Sequence, residues 1–265
     1  MTSNKDKKKV GLALSSGVAK GLAHIGVLKV LEREKIPVDM IAGTSVGALI
    51  GALYARGDKV SEIQDRAKKV GSKRLSYLTD FSLPKTGLLR GKRIDDTLKS
   101  FYGDMKFVDL KIPFTCVATD IDSGDEVVIN EGILWQAIRA SISLPVILAV
   151  AKWKDRYLVD GALVNPVPVD ILKEMGADIV IAVNVIPEKH AKEQVSEPSI
   201  FEVVMQTLHI VGFHAINTSI EGADVLIEPD MGSISFTDLH KVEESVQLGE
   251  EAAEKVLPEI KRLVQ

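Results

Sequence analysis

Within its first 57 residues the chain twice repeats one pattern: a short apolar run, a turn of small residues, and a segment with helical spacing. Val10 to Leu14 reads as a strand, and Gly21 to Glu34 as a helix carrying Leu22, Ile25, Leu28 and Leu31 on one face. Val38 to Ala42 reads as a second strand, followed by a small-residue helix from Val46 to Arg56 that Gly57 terminates. Strands alternating with helices pack as a mostly parallel sheet covered on both faces, so the expected fold is α/β and three-layer.

The rest of the chain continues the pattern. Strands are expected at Phe114–Thr119, Glu126–Ile129, Arg156–Val159, Ile179–Asn184 and Val225–Ile227. Helices are expected at Ser61–Val70, Ile94–Tyr102, Ile133–Ser141, Val169–Glu174, Phe201–Thr218 and Val246–Leu263. Ser72 to Lys92 reads as an irregular covering loop and Glu188 to Pro198 as a polar surface excursion, and neither has the look of a domain linker. The expected organisation is a basic N-terminal tail over residues 1–9 and a single domain over residues 10–265.

Gly43-Thr44-Ser45-Val46-Gly47 fits Gly-x-Ser-x-Gly and falls between an apolar strand and a small-residue helix. That context makes a nucleophile elbow, in which glycines two positions either side of the serine permit a cramped turn and lift the hydroxyl clear of the backbone. It also places Ser45 at a helix N-terminus, whose free N–H groups favour a developing negative charge. A serine that merely caps the helix would occupy the same position. Ser15-Ser16-Gly17-Val18-Ala19-Lys20-Gly21 follows the first strand and presents successive backbone N–H groups, a second anion-binding feature. It lacks the spacing of a dinucleotide or P-loop fingerprint and fits an oxyanion hole better. Tyr157-Leu158-Val159-Asp160-Gly161 reads as a strand delivering an aspartate to the sheet edge where α/β active sites collect, with an Asx turn before glycine as the plainer role.

These three motifs, in this order, resemble the patatin-like phospholipase family. The resemblance runs from about Val10 to Pro168 and is most specific in Gly21-Leu22-Ala23-His24-Ile25-Gly26-Val27-Leu28 and in Gly43 to Ala52. Val117–Asp120 and Ala137–Pro145 also resemble family segments. The resemblance implies hydrolysis of lipid acyl esters by a Ser–Asp dyad, with Ser45 as nucleophile, Asp160 as base and the N–H groups of Gly17 and Val18 as the oxyanion hole. Lys20, Gly21, Gly43, Gly47 and Gly161 would support the motifs. Where most relatives carry a run of glycines, this chain has Ser15, Ser16, Gly17 and Val18. Should Val18 require positive φ, it would be strained by roughly 1 to 3 kcal/mol. That departure motivates an alternative, a catalytically weak or inactive module that binds lipid or protein.

A dyad needs a carboxylate more basic than usual, so partial burial of Asp160 is expected. An α/β-hydrolase triad using Ser45, Asp160 and one of His190, His209, His214 or His240 is disfavoured, because that fold builds several strands before its nucleophile. His24 reads as a packing residue. Asp120, Asp122 and Asp125 read as turn carboxylates, since no glycine and distal glutamate complete a calcium loop, and neither a metal nor a cofactor is expected. Cys116 reads as a small buried core residue. Leu144 to Val150 reads as core before acyl-channel lining, and Leu88 and Leu89, among Lys85, Arg90, Lys92 and Arg93, as an interfacial contact. With 33 basic and 37 acidic residues, a net charge of −4 and a pI near 5.8, the chain lacks the cationic surface that nucleic acid requires. The longest apolar stretch, Leu144 to Ala151, is far short of the roughly 20 residues of a spanning helix, and the lysine-rich start lacks the long apolar region of a secretory signal. The expectation is a cytoplasmic protein acting on a lipid or acyl-ester substrate, with Lys5, Lys7, Lys8 and Lys9 offering peripheral contact to anionic headgroups. Oligomeric state is not legible in the pattern.

Overall fold

The computed structural model describes residues 8–72, 91–186 and 200–265. Among them, eight strands form one sheet: β1 Val10–Leu14, β2 Met40–Thr44, β3 Phe114–Asp120, β4 Glu126–Ile129, β5 Ala151–Trp153, β6 Arg156–Asp160, β7 Ile179–Val183 and β8 Val225–Ile227. Neighbours run β5–β6–β3–β2–β1–β7–β8, with β4 also paired to β3. The β3–β2–β1–β7–β8 stretch is parallel throughout, while β4, β5 and β6 pair antiparallel. Strands β1, β2, β3 and β7 are buried along their whole length, as strands covered on both faces must be.

The helices are α1 Ala23–Arg33, α2 Val46–Arg56, α3 Val60–Ser72, α4 Lys92–Tyr102, α5 Leu134–Ser141, α6 Val169–Glu174, α7 Ile200–Ser219 and α8 Val242–Val264. The larger core packs Leu12, Leu14 and Ile41 from one sheet face against α1, α2 and α8. A smaller core packs Ala13, Met40, Ala42 and Val180 from the other face against Val169, Ile171 and Leu172 of α6. Helices α1 and α8 meet backbone to backbone, for a Cβ on Gly26 would lie 2.0 Å from the Val246 carbonyl oxygen and one on Gly249 2.0 Å from that of Ala23.

The three-layer, mostly parallel sheet expected from the sequence is present. The predicted first helix is divided, since Val18–Leu22 forms a tight 3-10 turn and α1 begins only at Ala23. β5 was not foreseen, because three residues centred on exposed Lys152 carry too little apolar pattern. The expected covering loop lies outside the described residues from 73 to 90, including Leu88 and Leu89, as do the polar excursion from 188 to 198, His190 and residues 1–7 of the tail. Cys116 is wholly buried, and burial pushes its thiol pKa up. Asp120 accepts the N–H groups of Asp122 at 3.0 Å and Ser123 at 3.4 Å, which makes it a turn carboxylate.

Candidate active site

Sheet register explains how residues 115 positions apart come together. β2 pairs with β3 from Ile41↔Phe114 to Thr44↔Val117, and β6 pairs with it from Ala118↔Asp160 onward. β4 holds β3 along Cys116 to Thr119. A strand residue has only two flanks, so β2 and β6 lie end to end along the same flank of β3, and their last residues occupy consecutive register positions. Ser45, the next residue after β2, therefore meets Asp160, the last of β6. The Ser45 hydroxyl donates to Asp160 Oδ2 at 2.6 Å.

Both residues are fixed by their own backbones. Ser45 has φ 56° and ψ −123°, a strained conformation that aims its side chain off the strand. The flanking glycines are required by space: a Cβ on Gly43 would sit 2.7 Å from the Gly47 carbonyl, and one on Gly47 would sit 2.2 Å from the Leu14 carbonyl oxygen. The Ser45 N–H is held by Ser141 Oγ at 2.9 Å, at the end of α5. Asp160 Oδ1 accepts the Ala162 N–H at 2.9 Å, its own N–H donates to the Ser143 carbonyl at 2.9 Å, and its carbonyl accepts Thr119 Oγ1–H at 2.8 Å. A Cβ on Gly161 would lie 2.4 Å from the Val117 carbonyl oxygen, so the chain can turn there only without a side chain.

The burial expected of Asp160 is nearly complete, with 2% of its surface exposed. Desolvation pushes its pKa up to about 6, against the opposing hydrogen bonds from Ser45 and the Ala162 N–H. The result is a buried carboxylate that stays ionised at neutral pH and is more basic than an exposed one.

Across the site, Ser16, Gly17 and Val18 line the same cavity of about 60 Å3 as Ser45 and Asp160. Val18 has φ 49°, so the β-branched residue does occupy the left-handed region. At Gly17, φ is 154° and a Cβ would lie 2.4 Å from Val185 Cγ2. The loop is tied down ahead of this turn: the Ser15 N–H donates to the Val183 carbonyl, the Ser16 N–H to the Pro166 carbonyl at 3.0 Å, and the Val185 N–H to Ser15 Oγ at 3.1 Å. His24 Nε2 lies 2.8 Å from the Ser15 carbonyl oxygen, which can only accept, so this nitrogen carries the proton. Burial pushes the His24 pKa down to about 4 and keeps the ring neutral. The packing role expected of His24 thus includes a hydrogen bond that holds the loop. Lys20 sits over the Phe236 ring, 5.0 Å from its centroid, and Gly21 is pressed against Val46.

Ser45 and Asp160 touch directly, with no histidine between them. Of the triad candidates, His240 is exposed, while the side chains of His209 and His214 lie outside the described residues. Leu144 to Val150 is not the core segment expected: Leu148 is buried, but Leu144 lines the cavity at Ser45 and Asp160, and Val146, at φ 69°, is 53% exposed. This apolar run forms no regular element until β5, and Val146 turns outward at its strained position. Ser141 was not singled out from the sequence, where a serine at a helix end looks like any polar terminus. Gly212 and Ile216 of α7, together with Phe236, complete the cavity from the part of the chain with the weakest motifs.

The patatin-like phospholipase family model matches residues 12–173, which contain every one of these motif residues. The chain belongs to the patatin-like phospholipase family. Among curated members, an uncharacterised NTE family protein of Mycobacterium tuberculosis is 35% identical over 72% of this chain and 53% of that protein. The human patatin-like phospholipase domain-containing protein 6 is 38% identical over 66% of this chain but only 13% of its own length. This patatin-like chain thus spans about half of the mycobacterial relative and a small part of the human one. The fold is shared with VipD from Legionella pneumophila at a TM-score of 0.58 and 13% identity, covering 96% of this chain and 67% of that one.

Proposed function

We propose that the protein is a serine acyl hydrolase cleaving lipid acyl esters through a Ser45–Asp160 dyad and a covalent acyl-enzyme. The observation that carries this reading is the 2.6 Å hydrogen bond from the Ser45 hydroxyl to a buried carboxylate whose pKa is pushed up to about 6. In the first half-reaction Ser45 Oγ bonds to the ester carbonyl carbon while its proton passes to Asp160 Oδ2. The carbonyl oxygen becomes an oxyanion that accepts hydrogen bonds from the N–H groups of Gly17 and Val18 and is favoured by the N-terminus of α2. Collapse breaks the bond to the leaving oxygen, which departs as an alcohol with the proton from Asp160. Water then attacks the acyl-enzyme, gives a proton to Asp160, and the fatty acid leaves as that proton returns to Ser45.

The curated relatives include a protein named lysophospholipase nte1 of Aspergillus fumigatus, which supports a lipid ester as the substrate class. Contact with a lipid surface fits this chemistry, and Val203 and Ile210 of α7 present 44% and 62% of their surface to solvent on a helix that also lines the cavity. No helix among the described residues is long and apolar enough to cross a membrane. The alternative, a binding module without chemistry, draws on the strain at Val18. Strain of that kind also collects at working sites, so it does not favour inactivity by itself. Hydrolysis of short- and long-chain esters by the wild type, Ser45→Ala and Asp160→Asn tests the proposal: turnover confined to the wild type supports the dyad, and equal turnover in all three overturns it.

A further inference from the structure

Arg139 of α5 is buried, and each nitrogen of its guanidinium donates to a different part of the chain. Nε donates to Asp95 Oδ1 of α4 at 2.8 Å, Nη1 to Ser143 Oγ, and Nη2 to the Ala149 carbonyl at 3.0 Å. Ser143 Oγ in turn donates to the Arg139 carbonyl at 2.7 Å. The start of α4 is shaped around this group, for a Cβ on Gly91 would lie 2.7 Å from Arg139 Nη2. Nη1 and Nη2 thus hold the two ends of residues 143–149, a stretch outside every helix and strand. That stretch opens with the carbonyl of Ser143, which accepts the Asp160 N–H at 2.9 Å, and continues with Leu144 of the cavity wall. Two residues before it, Ser141 Oγ accepts the Ser45 N–H at 2.9 Å. The run from 139 to 149 therefore touches the backbone N–H of both Ser45 and Asp160.

Resting on the Ser45–Asp160 reading above, we infer that Arg139 is a positioning residue for the reaction: its guanidinium clamps residues 143–149 and so holds Asp160 in line with Ser45. Two of its three acceptors are uncharged oxygens on that stretch, and the Asp95 side chain, the third, keeps 34% of its surface open to solvent, where an ion pair stabilises little. The clamp also answers for Val146, whose φ of 69° costs about 1–3 kcal/mol and persists only where the surroundings over-determine it. A planar guanidinium sets its donors at fixed angles; a lysine ammonium would keep the charge opposite Asp95 but could not reach both ends of the stretch at once. Precise placement matters here because a shift of about 1 Å between reacting groups costs on the order of a hundredfold in rate.

The test is Arg139→Lys, read by urea melts and by kcat, KM and the pH profile for p-nitrophenyl butyrate. At a urea concentration of zero, where the variant is folded, kcat should fall at least about tenfold with KM changed less than about threefold, because the acceptor is misplaced rather than the substrate unbound. The acid limb of kcat/KM should also move to lower pH, since a loosened Asp160 admits water and loses part of the desolvation that raises its pKa. A purely structural role would lower the melt midpoint and leave both kcat and the acid limb of the folded protein in place. Ser143→Ala, which removes one arm of the clamp and keeps the carbonyl that holds Asp160, serves if the lysine variant lacks a cooperative melt, and should lower kcat about fivefold. Wild-type kcat and acid limb in a folded variant, beside an active wild type, overturn the clamp alone; a wild type with no ester turnover overturns the hydrolase reading and the clamp with it.

Discussion

The turns that follow β1 and β2 line one cavity together with Asp160, and each holds a residue with a side chain at positive φ: Val18 at 49° and Ser45 at 56°. The elbow at Ser45 is braced by glycines with no room for a Cβ on either side and by the hydrogen bond that the Ser45 N–H donates to Ser141 Oγ. The loop at Val18 is held from outside, through Ser15, Ser16 and His24, by bonds that all precede the strained residue. Under the proposed mechanism one turn fixes a side chain that reacts, while the other fixes backbone N–H groups, for which the identity of the side chain matters much less. Substitution at the elbow should therefore remove chemistry, whereas substitution in the loop should mainly change stability.

The largest effect separating the two turns is loss of the dyad. Ser45→Ala should show no turnover of p-nitrophenyl butyrate, and Asp160→Asn should lower kcat on the order of a thousandfold or more, as removal of a proton acceptor does in other serine hydrolases. Next in size is the pH dependence. Asp160 must be ionised to accept the proton, so kcat/KM should fall about tenfold per unit below about pH 6 and level off above it. A profile flat from pH 5 to 8 would remove Asp160 from the base role.

A smaller effect runs in the opposite direction. Folding raises the Asp160 pKa from 3.8 to about 6, so between those values the folded protein binds more protons than the unfolded chain, and stability is lost as pH rises through that window. Asp160→Asn removes this penalty and should stabilise the protein by about 1–3 kcal/mol at pH 8, with the gain gone by pH 4, read from urea melts at both values. The smallest expected effect belongs to the other turn. Val18→Gly relieves strain of roughly 1–3 kcal/mol but adds backbone entropy to the unfolded chain of roughly 0.5–1 kcal/mol, for a net gain of about 1 kcal/mol with kcat changed only a few-fold. A large loss of activity in that variant would mean that the Val18 side chain, and not only its N–H, serves the reaction.

Much of this was legible in the sequence wherever a local pattern carried the constraint. The elbow needs glycines at fixed spacing, and the parallel sheet needs wholly apolar strands, so Gly43, Ser45, Gly47 and β1 to β3 could be read directly. The Asp160–Gly161 turn was legible as a motif, but the end-to-end placement of β2 and β6 on one flank of β3 follows from register, which no local pattern states. Ser141 and the Ser15–His24 bond escaped for the same reason, since each joins groups that only the folded sheet brings together. The outward turn at Val146 was misread because an apolar run says nothing of φ.

The most direct test of the dyad is the rate at which a fluorophosphonate modifies Ser45, followed by intact mass and peptide mapping. The wild type should acquire one adduct, at Ser45, and Asp160→Asn should react at least a hundredfold more slowly, whereas replacing His209, His214 or His240 should leave the rate unchanged. Equal labelling of the wild type and a folded Asp160→Asn protein, or loss of labelling on replacing a single one of those histidines, would contradict a serine activated by Asp160 alone.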